Sequence, residues 1–219
     1  MDKIKITWSV RSECGPERKK NEDSVFPVAS GNKYLPFKAA ICDGLGGHAN
    51  GEIASKIAAE SMDTEEDDLL TIIEKANKKI VEEQNNNSGS GGMGTTMTAL
   101  TIDEDALMQV GHVGDSRCYV LSDRNIVKIT DDQNVPGYKN VLKQALGTKD
   151  KLDIQKVDFQ LNNGDVILLC TDGLYNEFGD EYIKKRLQEG VTADTLVGEA
   201  LLQNPSDNVS AIIMNVFKK

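Results

Sequence analysis

The chain has 219 residues, of which 39% are hydrophobic and 27% charged, and its formal net charge is −10 at pH 7. This length fits one domain over residues 1–219 with a sizeable core. The acidic balance argues against a nucleic-acid-binding protein, which would carry basic clusters. No apolar run is long enough to span a bilayer, and Lys3 and Lys5 interrupt any early signal-like stretch. We therefore expect a cytoplasmic protein without a membrane or nucleic-acid partner.

The first part of the chain shows strand patterns followed by helical ones. Alternating residues predict an opening strand over Ile4–Ser12, and the apolar run Phe37–Cys42 predicts a buried strand. Helical periodicity then covers Glu52–Met62 and Leu69–Glu83. The Asn-, Ser- and Gly-rich stretch Asn85–Gly92 predicts a flexible loop within the domain.

The second part is dominated by short strands separated by turn residues. The patterns predict strands over Thr95–Ile102, Leu107–Val113, Arg117–Leu121, Ile126–Thr130, Ile154–Phe159, Val166–Cys170 and Val209–Phe217. They predict a short helix over Lys139–Leu146 and two further helices over Glu181–Gln188 and Ala193–Leu202. Consecutive hairpins flanked by helix pairs favour antiparallel sheets packed together and covered by helices.

The cysteines show no metal or redox spacing. None of Cys14, Cys42, Cys118 and Cys170 forms a CxxC pair. Three of them lie inside or beside apolar strand patterns, so we expect reduced core cysteines.

Acidic residues stand at the ends of several apolar runs. Asp43 and Asp172 each follow a buried strand pattern and precede a glycine, and Asp207 opens the last strand. One such Asp is usually a turn former or a helix cap. Three in this setting, together with Glu22 and Asp23, are typical of a site for hard divalent cations. A pair of such cations is what phosphoester hydrolysis at neutral pH requires.

The order of the motifs makes the interpretation more specific. The chain resembles the type 2C, metal-dependent Ser/Thr protein phosphatases (the PPM family), and it is similar to the compact bacterial members. The resemblance covers essentially the whole chain through the motifs Arg18-x-x-Asn21-Glu22-Asp23, Asp43-Gly-Leu-Gly-Gly-His48, Gly94-Thr95-Thr96, Gly114-Asp115-Ser116-Arg117, Ala145-Leu146-Gly147, Thr171-Asp172-Gly173-Leu174 and Asp207-Asn208.

The resemblance implies a fold and a set of site residues. The fold is α+β, a four-layer α-β-β-α sandwich of two antiparallel sheets flanked by helix pairs, which agrees with the patterns above. The implied cofactors are two Mn²⁺ or Mg²⁺ ions, with Asp43 bridging them and Asp23 orienting a metal-bound water. Arg18 is implied to bind the substrate phosphate. The implied metal ligands are Glu22, Asp43, the Gly44 carbonyl, Asp172 and Asp207, with Asp115 available to a weak third ion.

The implied activity is hydrolysis of phosphoserine and phosphothreonine in proteins by a water activated at the dinuclear metal centre. Phosphorylated proteins would be the substrates, and a Ser/Thr kinase would be the functional opponent. Two alternatives stay open: a non-catalytic binding module on the same fold, and a phosphatase for a small phosphoester. The intact Arg18 and carboxylate set argues against the first, whereas the sequence does not exclude the second.

Three departures from the family pattern bear on the site. Asn176 stands where relatives often carry an Asp that helps to bind a third metal. The flap region, about residues 131–147, is shorter than in relatives. Asp132-Gln133-Asn134 replaces the usual Asp-His-Ser. Since a neutral amide is a weaker ligand than a carboxylate, we expect a weak third metal site.

Overall fold

Two antiparallel sheets pack face to face, and helices cover their outer faces. The computed structural model describes residues 3–45, 50–66, 68–86 and 92–218. Its strands are β1 (Ile4–Glu13), β2 (Asp23–Phe26), β3 (Gly31–Tyr34), β4 (Phe37–Asp43), β5 (Met97–Ile102), β6 (Leu107–Val113), β7 (Arg117–Ser122), β8 (Asn125–Lys128), β9 (Asn134–Val135), β10 (Tyr138–Leu142), β11 (Gln155–Gln160), β12 (Val166–Cys170) and β13 (Val209–Lys218). Its helices are α1 (Gly51–Glu60), α2 (Leu69–Asn86), α3 (Asp172–Tyr175), α4 (Asp180–Gln188) and α5 (Ala193–Leu201).

The strand order confirms the predicted α+β sandwich. One sheet runs β3-β1-β13-β12-β7-β8, the other runs β11-β6-β5-β4-β2, and β9 and β10 form a separate pair. Every strand pairing is antiparallel. Helices α1 and α2 cover the second sheet, while α3, α4 and α5 pack on the first.

Central strands are buried on both faces, because one face packs in the core between the sheets and the other packs under helices. Successive side chains of a strand point to these two faces in turn. In β4, Ala39 and Ile41 join the core between the sheets, whereas Ala40 and Cys42 pack under α1 and α2. This double burial explains why β4 reads as a continuous apolar run in the sequence.

Helix α2 lies close against its sheet. It buries Ile72, Ile73, Ala76 and Ile80, and a Cβ atom at Gly111 of β6 would lie 2.5 Å from the Ile73 Cδ1 atom. No helix in the described ranges is long and apolar enough to cross a bilayer.

The predicted helix over Lys139–Leu146 is wrong. Residues Tyr138–Leu142 instead form β10, which pairs with β9 through Tyr138 opposite Val135. Pro136 and Gly137 lie between the two strands, and Gly137 has a φ of +84°, a conformation that favours glycine and suits a tight reversal. The turn therefore decides the structure of this segment over its weak helical periodicity.

The cysteines are free thiols, as predicted. Cys42, Cys118 and Cys170 are buried in strands, and Cys14 is exposed. Burial raises the pKa of the three core thiols, so they are unreactive packing residues.

The strand registers bring the acidic motifs to one end of the sandwich. Asp23, the first residue of β2, lies opposite Asp43, the last residue of β4. In the other sheet, Cys170 at the end of β12 pairs with Ala211 near the start of β13 and with Arg117 at the start of β7. The loops that carry the remaining acidic residues therefore leave the two sheets at the same end.

Candidate active site

A cavity of about 800 Å³ opens where these strand ends meet. Its lining includes six of the eight predicted site residues: Arg18, Asp43, Gly44, Asp115, Asp172 and Asp207. Glu22 and Asp23 are outside the lining but adjoin it through hydrogen bonds described below. The part of the glycine motif at residues 46–49, including His48, and most of the predicted loop, residues 87–91, lie outside the described residues.

Two threonines fix the backbone of Asp43. The Asp43 N–H donates to Thr96 Oγ1 over 2.9 Å, and the Thr96 N–H donates to the Asp43 carbonyl over 2.8 Å. Thr95 Oγ1 donates to the same carbonyl over 2.9 Å. The Gly94-Thr95-Thr96 motif thus holds the residue that is predicted to bridge two metals.

Gly44 lies where backbone segments meet. Its N–H donates to the Glu22 carbonyl over 3.0 Å. A Cβ atom at Gly44 would lie 2.4 Å from the Gly51 carbonyl oxygen and 2.6 Å from that of Glu22. Only glycine fits, and the close approach carries Glu22 to the edge of the cavity.

Asn208 connects the loop before β13 to the loop before β2. Its Oδ1 accepts from the Glu22 N–H over 2.9 Å, and its Nδ2 donates to the Lys20 carbonyl over 3.0 Å. A Cβ atom at Gly173 would lie 2.0 Å from the Asn208 carbonyl oxygen. The segments that carry Glu22, Asp172 and Asp207 are therefore in direct contact.

The carboxylates at this end of the fold repel one another. Burial, and then the charges of Asp23, Asp172 and other nearby carboxylates, raise the pKa of Asp43 well above its usual range. Burial also raises the pKa of Asp115 and of Asp172. The negative charge of Asp115 raises the pKa of Asp172 further. Such a cluster is stabilised by a cation.

The donor set fits divalent cations. Oδ1 of Asp172 and Oδ1 of Asp23 are buried and have no hydrogen-bond partner, which is costly for a carboxylate unless an ion or water is bound. Within the described ranges, no three His, Cys, Asp or Glu side chains form a cage around one point. Carboxylate oxygens are ligands that hard divalent cations such as Mg²⁺ and Mn²⁺ take in proteins.

Arg18 contacts the acidic wall of the cavity. Its Nη2 atom donates to Asp207 Oδ2 over 2.5 Å, and its Nη1 atom lies 3.9 Å from Glu22 Oε2. Its Nε donates to the Ser206 carbonyl over 3.1 Å. The guanidinium therefore supplies positive charge to two of the predicted metal ligands.

Residues Asp132-Gln133-Asn134 hold the turn between β6 and β7. Asp132 accepts a bidentate pair of bonds from Arg117, at 2.9 and 2.6 Å. The Gly114 N–H donates to Gln133 Oε1, and the Gln133 N–H donates to the Gly114 carbonyl. Asn134 Nδ2 donates to Asp115 Oδ2 over 2.9 Å. This segment, which departs from the family pattern, fixes the position of the Asp115 carboxylate.

Helix α3 joins the same arrangement. The Arg117 guanidinium stacks on the Tyr175 ring at 3.5 Å from its centroid, and the Tyr175 hydroxyl donates to the Asp115 carbonyl over 3.1 Å. Asn176 Nδ2 lies 3.3 Å from Asp172 Oδ2 and donates to it. An amide thus faces both the Asp115 and the Asp172 carboxylates.

Comparison with known proteins identifies the family. The sequence profile described as Protein phosphatase 2C matches residues 17–193. The chain belongs to the protein phosphatase 2C family. The resemblance inferred from the motifs is therefore confirmed.

Individual members of the protein phosphatase 2C family align over nearly the whole chain. The serine/threonine protein phosphatase PstP of Mycobacterium tuberculosis is 31% identical over 240 residues, covering 96% of this chain and 45% of PstP. The chain thus spans less than half of that relative's length. The serine/threonine phosphatase stp of Listeria monocytogenes is 27% identical, with 93% of each chain covered. The crystal structure of the PstP catalytic domain in complex with two manganese ions has a TM-score of 0.84 at 29% identity, covering 98% of this chain and 99% of that one.

Sequence reasoning found the carboxylates but not the residues that support them. Thr95, Thr96 and Asn208 lie in the quoted motifs without an assigned role. Ser210 and Thr171 are fully buried hydroxyls next to apolar strands. A polar side chain within a buried apolar run was the one sequence feature that pointed to them.

Proposed function

We propose that this chain is a metal-dependent phosphatase of phosphoserine and phosphothreonine in proteins. One observation carries the proposal: carboxylates from separate strand ends line one cavity, and a buried oxygen of Asp172 lacks a partner. The chain belongs to a phosphatase family, and the PstP catalytic domain has been solved with two manganese ions.

The residues that would hold two Mn²⁺ or Mg²⁺ ions are those predicted from the motifs: Glu22, Asp43, the Gly44 carbonyl, Asp172 and Asp207. Bound there, the ions supply Lewis-acid polarisation of a phosphate and acidify a coordinated water. Asp115 is available to a third ion, but the Asn134 amide already engages its carboxylate.

Arg18 and Asp23 are proposed to act on the substrate and the attacking water. A guanidinium binds phosphate oxygens through paired hydrogen bonds and offsets negative charge that builds up during the reaction. Arg18 lies on the cavity wall and pairs with Asp207, so it is available to an incoming phosphate once Asp207 binds a cation. Asp23 is a buried acceptor beside Asp43 and suits the orientation of a water.

The substrate would be a phosphorylated protein segment, with a Ser/Thr kinase as the opposing enzyme. The chain would act as a single catalytic domain with a shortened flap over about residues 131–147, and Val141, Leu142 and Lys143 of this flap line the cavity. A cytoplasmic location is supported by the free thiols of the four cysteines, which suit a reducing compartment.

A substrate panel tests the proposal. The protein is assayed with phosphoserine, phosphothreonine and phosphotyrosine peptides and with small phosphometabolites, in Mn²⁺, in Mg²⁺ and after chelation. We expect metal-dependent release of phosphate from the first two peptides. Turnover restricted to the metabolites would favour the small-phosphoester phosphatase, and peptide binding without turnover would favour the non-catalytic module.

A further inference from the structure

Two buried hydroxyl groups meet at one oxygen of Asp23. Ser210 Oγ lies 2.6 Å from Asp23 Oδ2, and Thr171 Oγ1 lies 3.0 Å from the same atom. Ser210 and Thr171 have no exposed surface, and Asp23 is 8% exposed. Three segments, β13, the end of β12 and β2, thus converge on a single carboxylate oxygen.

The hydrogen bonds form a ring that returns to Asp23. Ser210 Oγ and Ser12 Oγ lie 2.7 Å apart, and Asn21 Nδ2 donates to Ser12 Oγ over 2.8 Å. Asn21 Oδ1 in turn accepts from the Asp23 N–H over 3.1 Å. Every member of the ring is therefore bonded on both sides.

The number of available protons limits the bonds that Ser210 can make. Its Oγ has donor geometry towards both Asp23 Oδ2 and Ser12 Oγ, and it carries one hydroxyl proton. When Asp23 is ionised, its carboxylate only accepts and is the stronger acceptor, so Ser210 donates to Asp23. Thr171 Oγ1 accepts from the Ser210 N–H over 3.1 Å, which leaves its own proton for Asp23. The hydroxyl protons of Ser210 and Thr171 therefore both point towards Asp23 Oδ2.

The two oxygens of Asp23 are consequently not equivalent. Oδ2 receives two hydroxyl protons, whereas Oδ1 is buried and has no partner. Rotation of the carboxylate would break both bonds to Oδ2. A buried charge is expensive unless it is compensated, and this compensation is confined to one oxygen.

We propose that Ser210 and Thr171 are positioning residues that fix the orientation of the Asp23 carboxylate, the group proposed to orient the attacking water. This inference rests on the proposed function, in which Asp23 orients that water. The hydroxyl chain also explains why a serine interrupts the buried apolar run of β13.

The first test removes one hydroxyl and then restores it. With p-nitrophenyl phosphate and saturating Mn²⁺, Ser210→Ala should lower kcat about 10-fold or more while KM stays within about twofold, as for an interaction used in the transition state. Ser210→Thr keeps the hydroxyl and should recover most of the kcat. Ser61→Ala is the matched control, because Ser61 is buried and donates one hydrogen bond, to the Ile57 carbonyl, far from this ring in sequence. It should leave kcat unchanged.

A double-mutant cycle tests whether Ser210 acts through Asp23. In an Asp23→Asn background, Ser210→Ala should lower kcat no further. In the absence of metal, Ser210→Ala should also lower the unfolding free energy of the Asp23→Asn protein less than it lowers that of the wild type. This second measurement, by denaturant unfolding, needs no turnover. Fully additive effects in both measurements would overturn the inference.

Thr171→Val covers the case in which Ser210→Ala does not fold. Thr171 Oγ1 donates to the same Asp23 oxygen over 3.0 Å, and valine keeps the shape of threonine, so this variant should lower kcat about threefold or more without changing KM. Unchanged kcat in Thr171→Val and in any folded Ser210→Ala would refute the positioning role. Absence of turnover in the wild type would refute the proposed function instead.

Discussion

At the scale of single residues, the site is organised by repulsion between carboxylates that the fold keeps together. The pKa of Asp43 is raised by burial and by four neighbouring carboxylates. Metal-free protein therefore carries an unfavourable energy that a bound cation removes. Stability and metal binding are linked through the same residues.

Replacing Asp43 tests this linkage. Asp43→Asn should abolish nearly all aryl phosphate hydrolysis in Mn²⁺, about 100-fold or more, because both proposed ions lose a ligand. The metal-free variant should unfold at a temperature equal to or above that of the wild type, because one repelling charge is gone. Added Mn²⁺ should raise its Tm less than it raises the wild-type Tm. A folded variant with near wild-type turnover would refute the two-metal assignment.

Replacing Arg18 distinguishes phosphate binding from metal binding. Arg18→Ala should raise KM for a phosphorylated substrate and lower kcat/KM by about 2–4 kcal/mol, since one charge-assisted pair of bonds is lost. Because Arg18 pairs with Asp207, its removal should not weaken Mn²⁺ binding measured by calorimetry. Unchanged kinetics would show that phosphate binds elsewhere, and weaker Mn²⁺ binding would show that Arg18 supports the metal ligands.

Replacing Asn176 tests the prediction of a weak third metal site. A carboxylate binds a hard divalent ion better than an amide does, so Asn176→Asp should strengthen the weakest phase of a calorimetric Mn²⁺ titration and leave the tighter phases unchanged. Asn134→Ala, which frees Asp115 from an amide donor, should act in the same direction. Identical weak phases in wild type and Asn176→Asp would contradict this prediction.

At the scale of elements, contacts between loop backbones hold the strand ends in register. Helix α3 begins at Asp172 and touches the loop before β13 at Gly173, where no side chain fits. The position of Asp172 relative to Asp207 is thus decided by a backbone contact that has no signature in hydrophobic periodicity.

A pair of glycine substitutions tests this contact. A Cβ atom at Gly173 would lie 2.0 Å from a carbonyl oxygen, so Gly173→Ala should destabilise the protein by about 2 kcal/mol or more through overpacking. Gly198, in α5, has no atom within 4 Å of such a position, so Gly198→Ala should be neutral or stabilise by up to about 1 kcal/mol. Urea unfolding of both variants is the measurement, and equal effects would contradict the assigned contact.

At the scale of the whole molecule, the fold places polar groups inside as well as at the site. His112, in β6, is 1% exposed and bonds through Nδ1 to Thr98 and through Nε2 to the Asp131 carbonyl. Burial lowers the pKa of His112 from 6.5 to about 4, although Asp131 and Asp132 oppose the effect. Protonation of this ring therefore favours the unfolded chain.

The consequence is a loss of stability in acid. The contribution of His112 is complete above pH 6.5 and is lost as the pH falls towards 4, because the unfolded state takes up a proton that the folded state does not. The full difference is about 3 kcal/mol. In metal-free protein, the unfolding free energy of His112→Gln should fall less between pH 7.5 and pH 4.5 than that of wild type. Parallel curves would show that His112 does not carry this dependence. The buried carboxylates have raised pKa values, which change stability with pH in the opposite direction. Their contribution is the same in both proteins, so it cancels in the comparison.

The sequence by itself determined the layers of the fold and predicted the acidic residues of the candidate site. Strands buried on both faces, such as β4 and β12, have continuous apolar runs, and the acidic motifs at their ends predicted the carboxylates that line the cavity. These features depend on local composition and periodicity, so they can be recognised without a structure.

Only the tertiary structure decided how these carboxylates are supported and how the flap is built. The ring through Ser12, Ser210 and Asp23 joins residues up to 198 positions apart, and no local pattern records such a contact. β2 and β3 are four residues each, too short for a periodic signal, and β10 depends on the turn at Gly137. Long-range hydrogen bonds and turns of one or two residues add little to sequence periodicity, which is why they become visible only when the chain is folded.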